Sequence, residues 1–241
     1  MKQNEKGKLL GILGGLGPMA TAYFYELLTA FTIAERDQDH IDMVISSRVS
    51  TPDRSSFILG TCHDNPLPVM IEEAKKLEAY GADLIAIPCN TAHYFYDGIA
   101  KETGIPVLNI ISETVGHLHL QGVKRAALFA TEGTCKSGTY QNIGKGKVDI
   151  IVPEAEDQDV ITSIIFDEIK SGKEPDIEKF ISLATKMRER GCERVILGCT
   201  ELSLIKKDYD IIKHNDFYTD SLTVLAKATV SACGKPCRDQ I

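Results

Sequence analysis

The chain has 241 residues, enough for one large domain or two small ones with a sizeable buried core. With 43% hydrophobic and 25% charged residues, its composition is typical of a soluble globular protein. The net charge of −7 disfavours a nucleic-acid or membrane-surface partner, because no surplus of lysine and arginine exists to neutralise phosphates. No apolar run approaches the ~20 residues of a membrane span, and the N-terminus lacks a signal peptide's apolar segment. We therefore expect a cytoplasmic protein.

The chain contains seven cysteines, an odd number scattered without the spacing of a disulfide framework. In a reducing compartment they are expected to be mostly free thiols. The one close pair, Cys233 and Cys237, has no second pair or histidine cluster beside it, so incidental thiols are a better interpretation than a metal site. The six histidines show no metal-binding spacing either, and we expect no metal.

Short apolar runs along the chain alternate with segments of helical spacing. Strands are predicted over residues 9–13, 41–46, 84–87, 107–110, 126–130 and 194–197. Helices are predicted over residues 18–35, 68–80, 157–171, 176–190 and 221–231. Apolar strands between helices indicate parallel sheets covered on both faces, which is the α/β class.

Residues 74–93 and 184–203 form an internal repeat with an offset of 110 residues. Each segment predicts an amphipathic helix, a glycine cap, four apolar residues and a cysteine, Cys89 or Cys199. A weaker similarity relates residues 8–18 to 124–134. We therefore predict two pseudo-symmetric α/β domains, residues 1–110 with 213–241 and residues 111–212. Facing halves would direct both cysteines, each past the carboxyl end of a strand, into one cleft.

The two cysteines stand in Pro88-Cys89-Asn90-Thr91 and Gly198-Cys199-Thr200-Glu201. A lone cysteine at a strand end is usually a small buried hydrophobic residue. Two cysteines at equivalent positions of a repeat favour a functional pair instead. A helix is predicted after each cysteine, and its N-terminal amides would favour the thiolate. Facing thiols suit a disulfide reductase, which usually uses CxxC, or proton removal and return on opposite faces of a carbon. We favour proton exchange, with the carbanion stabilised by backbone amides and by Asn90, Thr91 and Thr200.

The glycine-rich segment that starts at Gly15 fits the dinucleotide fingerprint G-x-G-x-x-A. The second strand, however, ends in serines, Ser46 and Ser47, where that fingerprint expects a carboxylate for the ribose. We prefer a tight turn whose amides hold a small anion, with Gly15, Gly17 and Ser47 as substrate-binding residues. Downstream, Arg48 and Arg54 are either surface arginines or bidentate ligands of a carboxylate.

Two further residues have open interpretations at this point. His93, four residues after Cys89, either tunes that thiol or makes a structural hydrogen bond. Lys170 lies near the end of a predicted helix. Composition alone indicates a solvated side chain there, whose positive charge interacts favourably with the helix dipole.

Taken together, GGLGPMAT, TPDRS, PCNTAH and GCTE resemble the aspartate/glutamate racemase family, most closely its aspartate racemase branch, over about residues 8–227. The resemblance implies two α/β domains flanking a cleft, frequent homodimers, and no pyridoxal phosphate or metal. It also implies that Cys89 and Cys199 are catalytic and that the substrate-binding residues are Asn90, Thr91, Thr200, Arg54 and, on a short match, Lys170. We place Thr131 and Glu201 in the same substrate-binding set.

We therefore expect a cofactor-independent racemase that acts on aspartate, with glutamate as a further substrate. Glutamate racemase, a broader-specificity racemase and an isomerase of a small diacid are the enzymatic alternatives. A non-catalytic protein that binds small anions on the same scaffold is the alternative from another class, and the presence of both cysteines disfavours it.

Overall fold

A computed structural model describes residues 7–240 of the chain. The strands within this range are β1 Leu10–Gly14, β2 Met43–Ser47, β3 Leu84–Ala86, β4 Val107–Leu108, β5 Arg125–Phe129, β6 Asp149–Ile151, β7 Arg194–Leu197 and β8 Tyr218–Asp220. They form two parallel sheets with the orders β2-β1-β3-β4 and β6-β5-β7-β8. The predicted α/β class with two similar parallel sheets is confirmed.

Helices connect and cover the strands. The α-helices of residues 7–240 are α1 Pro18–Phe31, α2 Arg54–Ile58, α3 Leu67–Tyr80, α4 Tyr96–Glu102, α5 Ile110–Leu120, α6 Glu132–Ser137, α7 Thr139–Gly144, α8 Ala155–Ser163, α9 Ile177–Glu189, α10 Leu202–Asp208, α11 Asp210–Lys213 and α12 Ser221–Ala232. Asp37–Asp39, Thr91–Phe95 and Ile169–Ser171 are 3₁₀ turns, and Ile164–Glu168 is a π-helix. Across this described range, none of the helices has the length and apolarity needed to cross a membrane.

The internal repeat corresponds to the third strand of each sheet, β3 and β7, with the helix that precedes it. Gly81 and Gly191 follow α3 and α9 with φ angles of 105° and 83°, in the left-handed region that glycine tolerates best. The weaker similarity corresponds to β1 and β5, the second strand of each sheet. The repeat therefore places Cys89 and Cys199 at equivalent strand ends in the two halves.

A central core joins the two halves. One face of each sheet packs against helices α1, α5 and α12, so that Leu10 and Ile12 of the first sheet share a cluster with Leu128 and Ile196 of the second. The outer faces have their own clusters, one beneath α3 and one beneath α9. Because the inner layer is shared and closely packed, it fixes the relative position of the two strand edges that carry the cysteines.

The C-terminal segment differs from the predicted domain boundary. Residues 213–241 are predicted to belong to the first domain, but Tyr218–Asp220 pairs with β7 in the second sheet. The chain then returns to the first half, where α12 packs on α1 and Cys237 forms an isolated bridge with Thr32. β8 and β6 were not predicted because the polar residues Thr219 and Asp220 in β8 and Asp149 in β6 shorten their apolar runs, whereas the equally short β3 is wholly apolar.

Candidate active site

A small cavity lies where the carboxyl ends of β3, β5 and β7 meet. Its volume is about 20 Å³, room for about one water molecule. Of the residues predicted for the site, the lining contains Cys89, Cys199, Arg54, Asn90, Thr91, Thr131, Lys170, Thr200 and Glu201. The lining also contains four residues outside the predicted set, Leu16, Asp53, Ser55 and Phe166.

The glycines of the Gly14–Gly17 turn do not line the cavity, although Leu16 between them does. The Gly15 N–H donates to Thr21 Oγ1 (3.0 Å), and a β-carbon on Gly15 would lie 2.5 Å from the Arg48 nitrogen. Gly15 and Ser47 therefore meet through their backbones, and the structure does not bring them to the cavity as the predicted anion-binding turn requires. A β-carbon on Gly17 would lie 2.7 Å from Glu201 Oε1, so Gly17 leaves space for that carboxylate.

Cys89 is buried, and its peptide group is fixed by His93. His93 Nδ1 lies 2.8 Å from the Cys89 carbonyl, which can only accept, so Nδ1 carries the ring proton and donates it there. Nε2 accepts from the Ile110 N–H (3.2 Å) and lies 3.3 Å from the Leu108 carbonyl. Burial lowers the pKa of His93, which keeps the ring neutral. Of the two roles left open for His93, the structure shows the structural hydrogen bond, and the ring holds the backbone of Cys89.

Cys199 is buried and has a carboxylate partner. Its thiol donates to Glu201 Oε2 (2.9 Å). Burial and then the negative charge of Glu201 raise the pKa of Cys199 well above that of a free thiol. The Glu201 backbone N–H lowers the pKa of Cys199, in the direction expected of helix amides, but burial and the neighbouring carboxylate outweigh it.

The second oxygen of the same carboxylate holds Lys170. Lys170 Nζ lies 2.6 Å from Glu201 Oε1. Burial opposes the charge of Lys170, but Glu201 outweighs it and raises the pKa of Lys170, so the ammonium stays charged. Composition alone predicts a solvated helix end for Lys170 and the resemblance predicts a substrate-binding residue; the structure brings it to the cavity lining, where its partly exposed ammonium pairs with the buried Glu201 carboxylate.

Lys170 and Phe166 reach the cavity from an irregular segment. The sequence predicted one helix over residues 157–171, but α8 ends at Ser163 and is followed by the π-helix and a 3₁₀ turn. Lys170 Nζ lies 5.5 Å from the centre of the Phe166 ring. π-Helical turns are rare and are often found at functional sites. Periodicity alone cannot distinguish this turn from continuous α-helix.

Three threonine hydroxyls form a buried cluster between the halves. Thr91 Oγ1 lies 3.0 Å from Thr131 Oγ1 and 2.8 Å from Thr134 Oγ1, and the last two are 3.0 Å apart. Ser55 Oγ donates to Thr131 Oγ1 (3.2 Å). Because each hydroxyl can both donate and accept, the cluster can adapt to a charged group in the cavity. Thr134 ends the weaker repeat at residues 124–134, but that similarity carried no functional assignment, so Thr134 was not predicted as a site residue.

Arg54 is held in place by backbone carbonyls. Its Nη1 donates to the carbonyls of Thr51 (3.3 Å) and Pro52 (3.1 Å), and its Nη2 donates to that of Leu16 (2.8 Å). Within residues 7–240, the buried Nε has no acceptor. A fixed guanidinium with a buried, unpaired N–H at a cavity wall is suited to receive an anionic ligand.

Arg48 has a different environment, since its Nη1 pairs with Glu73 Oε1 at 3.0 Å and it does not line the cavity. Of the two arginines with a surface role or a carboxylate-binding role open, the structure places Arg54 at the cavity and Arg48 away from it. A metal centre has no support in the described part of the chain, where no three His, Cys, Asp or Glu side chains are grouped to hold an ion.

Comparisons with known proteins bear on this arrangement. A family model described as Asp/Glu/Hydantoin racemase matches residues 13–228. The broad specificity amino-acid racemase RacX of Bacillus subtilis is 30% identical over 231 residues, which cover 92% of this chain and 97% of that protein. The solved structure of Picrophilus torridus aspartate racemase has a TM-score of 0.83 at 30% identity and covers 96% of each chain.

A more distant solved structure shows the fold alone. Glutamate racemase from Francisella tularensis, in complex with D-glutamate, has a TM-score of 0.65 at 17% identity and covers 94% of this chain and 81% of that one. The comparisons thus agree with the resemblance that the four sequence motifs predict.

Proposed function

We propose that this chain, which belongs to the Asp/Glu/hydantoin racemase family, interconverts L- and D-aspartate without a cofactor. Cys89 and Cys199 are the acid and base on opposite faces of the α-carbon. The observation that carries this proposal is that both cysteines, from equivalent strands of two similar sheets, line one cavity. Two bases on opposite sides are what inversion of a stereocentre requires, because the proton must leave one face and return to the other.

The proton moves in opposite senses for the two enantiomers. For one, the Cys89 thiolate removes the α-proton and the Cys199 thiol delivers its own proton to the other face, which leaves Cys89 protonated and Cys199 a thiolate. For the other, Cys199 is the base and Cys89 the acid, so before the reaction Cys199 must lose its proton and Cys89 must take one up from solvent. Glu201, which already accepts the Cys199 hydrogen bond at 2.9 Å, is the acceptor of that proton in our proposal.

The carbanion carries its charge into the α-carboxylate, so donors to that group stabilise the transition state. Asn90, Thr91 and Thr200 are the neutral donors in the lining. The distal carboxylate of aspartate is assigned to Arg54, whose buried Nε lacks an acceptor within the described residues. Because the cavity holds about one water molecule, substrate entry must displace side chains, and we assign this movement to Phe166 and Lys170.

A second candidate function is a broader-specificity racemase. The observation that favours it is the near full-length similarity to RacX, a protein described as a broad specificity amino-acid racemase. The proton chemistry would be the same. The two functions would differ in substrate specificity, that is, in how much activity Arg54 allows on amino acids that lack a distal carboxylate. Glutamate is the other diacid that the cavity wall at Arg54 would accept.

The test is incubation of purified protein with each enantiomer of aspartate, glutamate, alanine and lysine in D₂O. Circular dichroism follows inversion and proton NMR follows exchange at the α-carbon. We expect both to be fastest for aspartate, without added pyridoxal phosphate and after dialysis against a chelator. Absence of exchange with every amino acid would leave a non-catalytic anion-binding protein as the better account. Activity lost on chelation and restored by a metal would contradict cofactor independence.

A further inference from the structure

The side-chain amide of Asn90 has a defined orientation at the edge of the cavity. Its Nδ2 donates to Ser221 Oγ (2.9 Å), and its Oδ1 accepts from the Tyr140 hydroxyl (2.6 Å). Ser221 Oγ itself donates to the Leu197 carbonyl (2.7 Å). Since the single proton of Ser221 is used there, its oxygen must accept from Asn90, which places the amide nitrogen at Ser221 and the amide oxygen at Tyr140.

The groups that hold Asn90 lie outside its own half of the molecule. Asn90 follows β3 of the first sheet, while Tyr140 lies on α7, and Ser221 begins α12 directly after β8 of the second sheet. Tyr140 and Ser221 are completely buried. Burial raises the pKa of Tyr140, so its hydroxyl remains protonated and able to donate. Buried polar groups of this kind cost free energy when a partner is removed.

We propose that Tyr140 and Ser221 are positioning residues that orient the Asn90 amide so that its second N–H faces the cavity. The hydrogen bonds form one chain from Tyr140 through Asn90 and Ser221 to Leu197 O, two residues before Cys199. This chain connects the first cysteine motif to the strand that carries the second. The identity of the group that meets the free N–H, the substrate α-carboxylate, rests on the proposed function.

The positioning predicts where the effect on catalysis will be seen. Negative charge grows on the α-carboxylate as the α-proton leaves, so a correctly oriented N–H stabilises the transition state more than the bound substrate. Loss of the orienting bond should lower kcat more than it raises KM. A general loosening of the pocket would instead weaken substrate binding and raise KM.

The first arm of the test observes the amide without any substrate. In the NMR spectrum of ¹⁵N-labelled protein, the two proton signals of the Asn90 side-chain NH₂ are identified as those that disappear in Asn90→Ala. Asn90→Ser is used where the alanine variant does not fold. Tyr140→Phe and Ser221→Ala are each expected to speed its hydrogen exchange by about tenfold, the size of one lost hydrogen bond. Tyr96→Phe is the matched control, because Tyr96 donates to the Val107 carbonyl (3.0 Å) and does not line the cavity. Unchanged exchange in both test variants would overturn the proposal.

The second arm is a double-mutant cycle on aspartate racemisation. Tyr140→Phe should lower kcat about tenfold in the wild-type background and have no further effect once Asn90 is replaced. Tyr96→Phe should leave kcat within about twofold, as expected for a substitution away from the site. Equal effects of Tyr140→Phe in both backgrounds, or none in either, would overturn the proposal. If wild type racemises no amino acid, the proposed function fails, and the amide exchange still decides whether Tyr140 and Ser221 position Asn90.

Discussion

The two cysteine motifs occupy equivalent places in two similar sheets, yet their surroundings differ. Two residues after Cys89 stands Thr91, whose hydroxyl joins the threonine cluster. Two residues after Cys199 stands Glu201, whose carboxylate accepts the thiol hydrogen bond and pairs with Lys170. The repeated backbone thus supplies two opposed thiols, and a single side-chain difference gives one of them a proton partner.

The same contrast is seen four residues after each cysteine. His93 donates to the Cys89 carbonyl (2.8 Å), whereas Ser203 donates to Asp220 Oδ1 (2.6 Å), away from the thiol of Cys199. The first motif is therefore fixed through its backbone and the second through its thiol.

A racemisation has an equilibrium constant of 1, so kcat/KM must be equal in both directions. The asymmetry should appear in isotope exchange and pH dependence, and not in net direction.

The largest effect is expected from removing either thiol. Cys89→Ala or Cys199→Ala should lower racemisation of aspartate by at least about a thousandfold, because one face loses its acid or base. Circular dichroism of the reaction measures the loss, and thermal melting verifies the fold. Cys62→Ala is the control, since Cys62 is half-buried and does not line the cavity. Full racemase activity in either test variant would make the two-base assignment wrong.

Glu201→Gln should have the next largest effect and should distinguish the two motifs. Loss of the proton acceptor should lower kcat/KM by about a hundredfold, equally for both enantiomers. Burial and the Glu201 charge raise the pKa of Cys199, so removal of that charge lowers this pKa. The limb of the pH–rate profile that reports ionisation of Cys199 should therefore move to lower pH.

Glu73→Gln is the matched control for that experiment. Glu73 and Glu201 are each 6% exposed and each pair with a cation, but Glu73 does not line the cavity. It should leave the pH–rate profile in place. A Glu201→Gln profile identical to wild type would remove Glu201 from the proton path.

Arg54→Ala should produce a smaller effect that depends on the substrate. A charged hydrogen bond contributes roughly 1.5–3 kcal/mol, so kcat/KM for aspartate should fall at least about tenfold. Alanine, which has no distal carboxylate, should be affected far less. Arg48→Ala, paired with Glu73 away from the lining, is the control. An equal loss for both substrates, or for neither, would assign the distal carboxylate elsewhere. Where alanine is not turned over, binding of both amino acids to Cys89→Ala replaces the kinetics.

The smallest expected effect concerns stability outside the site. Burial opposes the charge of Glu73, but bonds from Ser46 and Lys76 outweigh it and lower the pKa of Glu73 below its ordinary 4.5. The ionised Glu73 carboxylate therefore stabilises the folded state. This stabilisation is fully present above the pKa that Glu73 has in the unfolded chain, and it is lost as pH falls through the pKa that Glu73 has in the folded protein. Glu73→Gln should lower the free energy of unfolding at pH 7 by about 1–3 kcal/mol and flatten its acid dependence. Urea melts from pH 7 to 3 test this, and an unchanged acid slope would contradict it.

The repeat was visible in the sequence because backbone requirements are local. A helix, a left-handed glycine and an apolar strand leave a pattern over twenty residues, so β7 was predicted with its observed bounds, Arg194–Leu197. The family resemblance came from short motifs at strand ends and is confirmed by the match to residues 13–228. Each copy of the repeat and each motif is contained in one short segment of the chain, so its pattern can be read without knowing the fold.

The partners within the site could not be predicted in the same way. Lys170 lies 31 residues before Glu201, and Tyr140 lies 50 residues after Asn90, so no local pattern joins either pair. The hydroxyl of Tyr140 has no signature on a buried helix, where an aromatic residue indicates core packing. The upward shift of the Cys199 pKa also depends on burial and on the charge of Glu201. The sequence places Glu201 two residues after Cys199 but does not show that its carboxylate contacts the thiol.

The most direct test of the two-thiol account is α-proton exchange in D₂O by the two single-cysteine variants. Each variant retains one base, which can remove the proton that faces it, exchange with solvent and return deuterium to the same face. Cys89→Ala and Cys199→Ala are therefore each predicted to exchange one enantiomer of aspartate without inversion, and the two variants should exchange opposite enantiomers. Glu201→Gln should slow exchange of the enantiomer that Cys199→Ala no longer exchanges. Exchange of the same enantiomer by both cysteine variants, or of both enantiomers by either, would contradict the account.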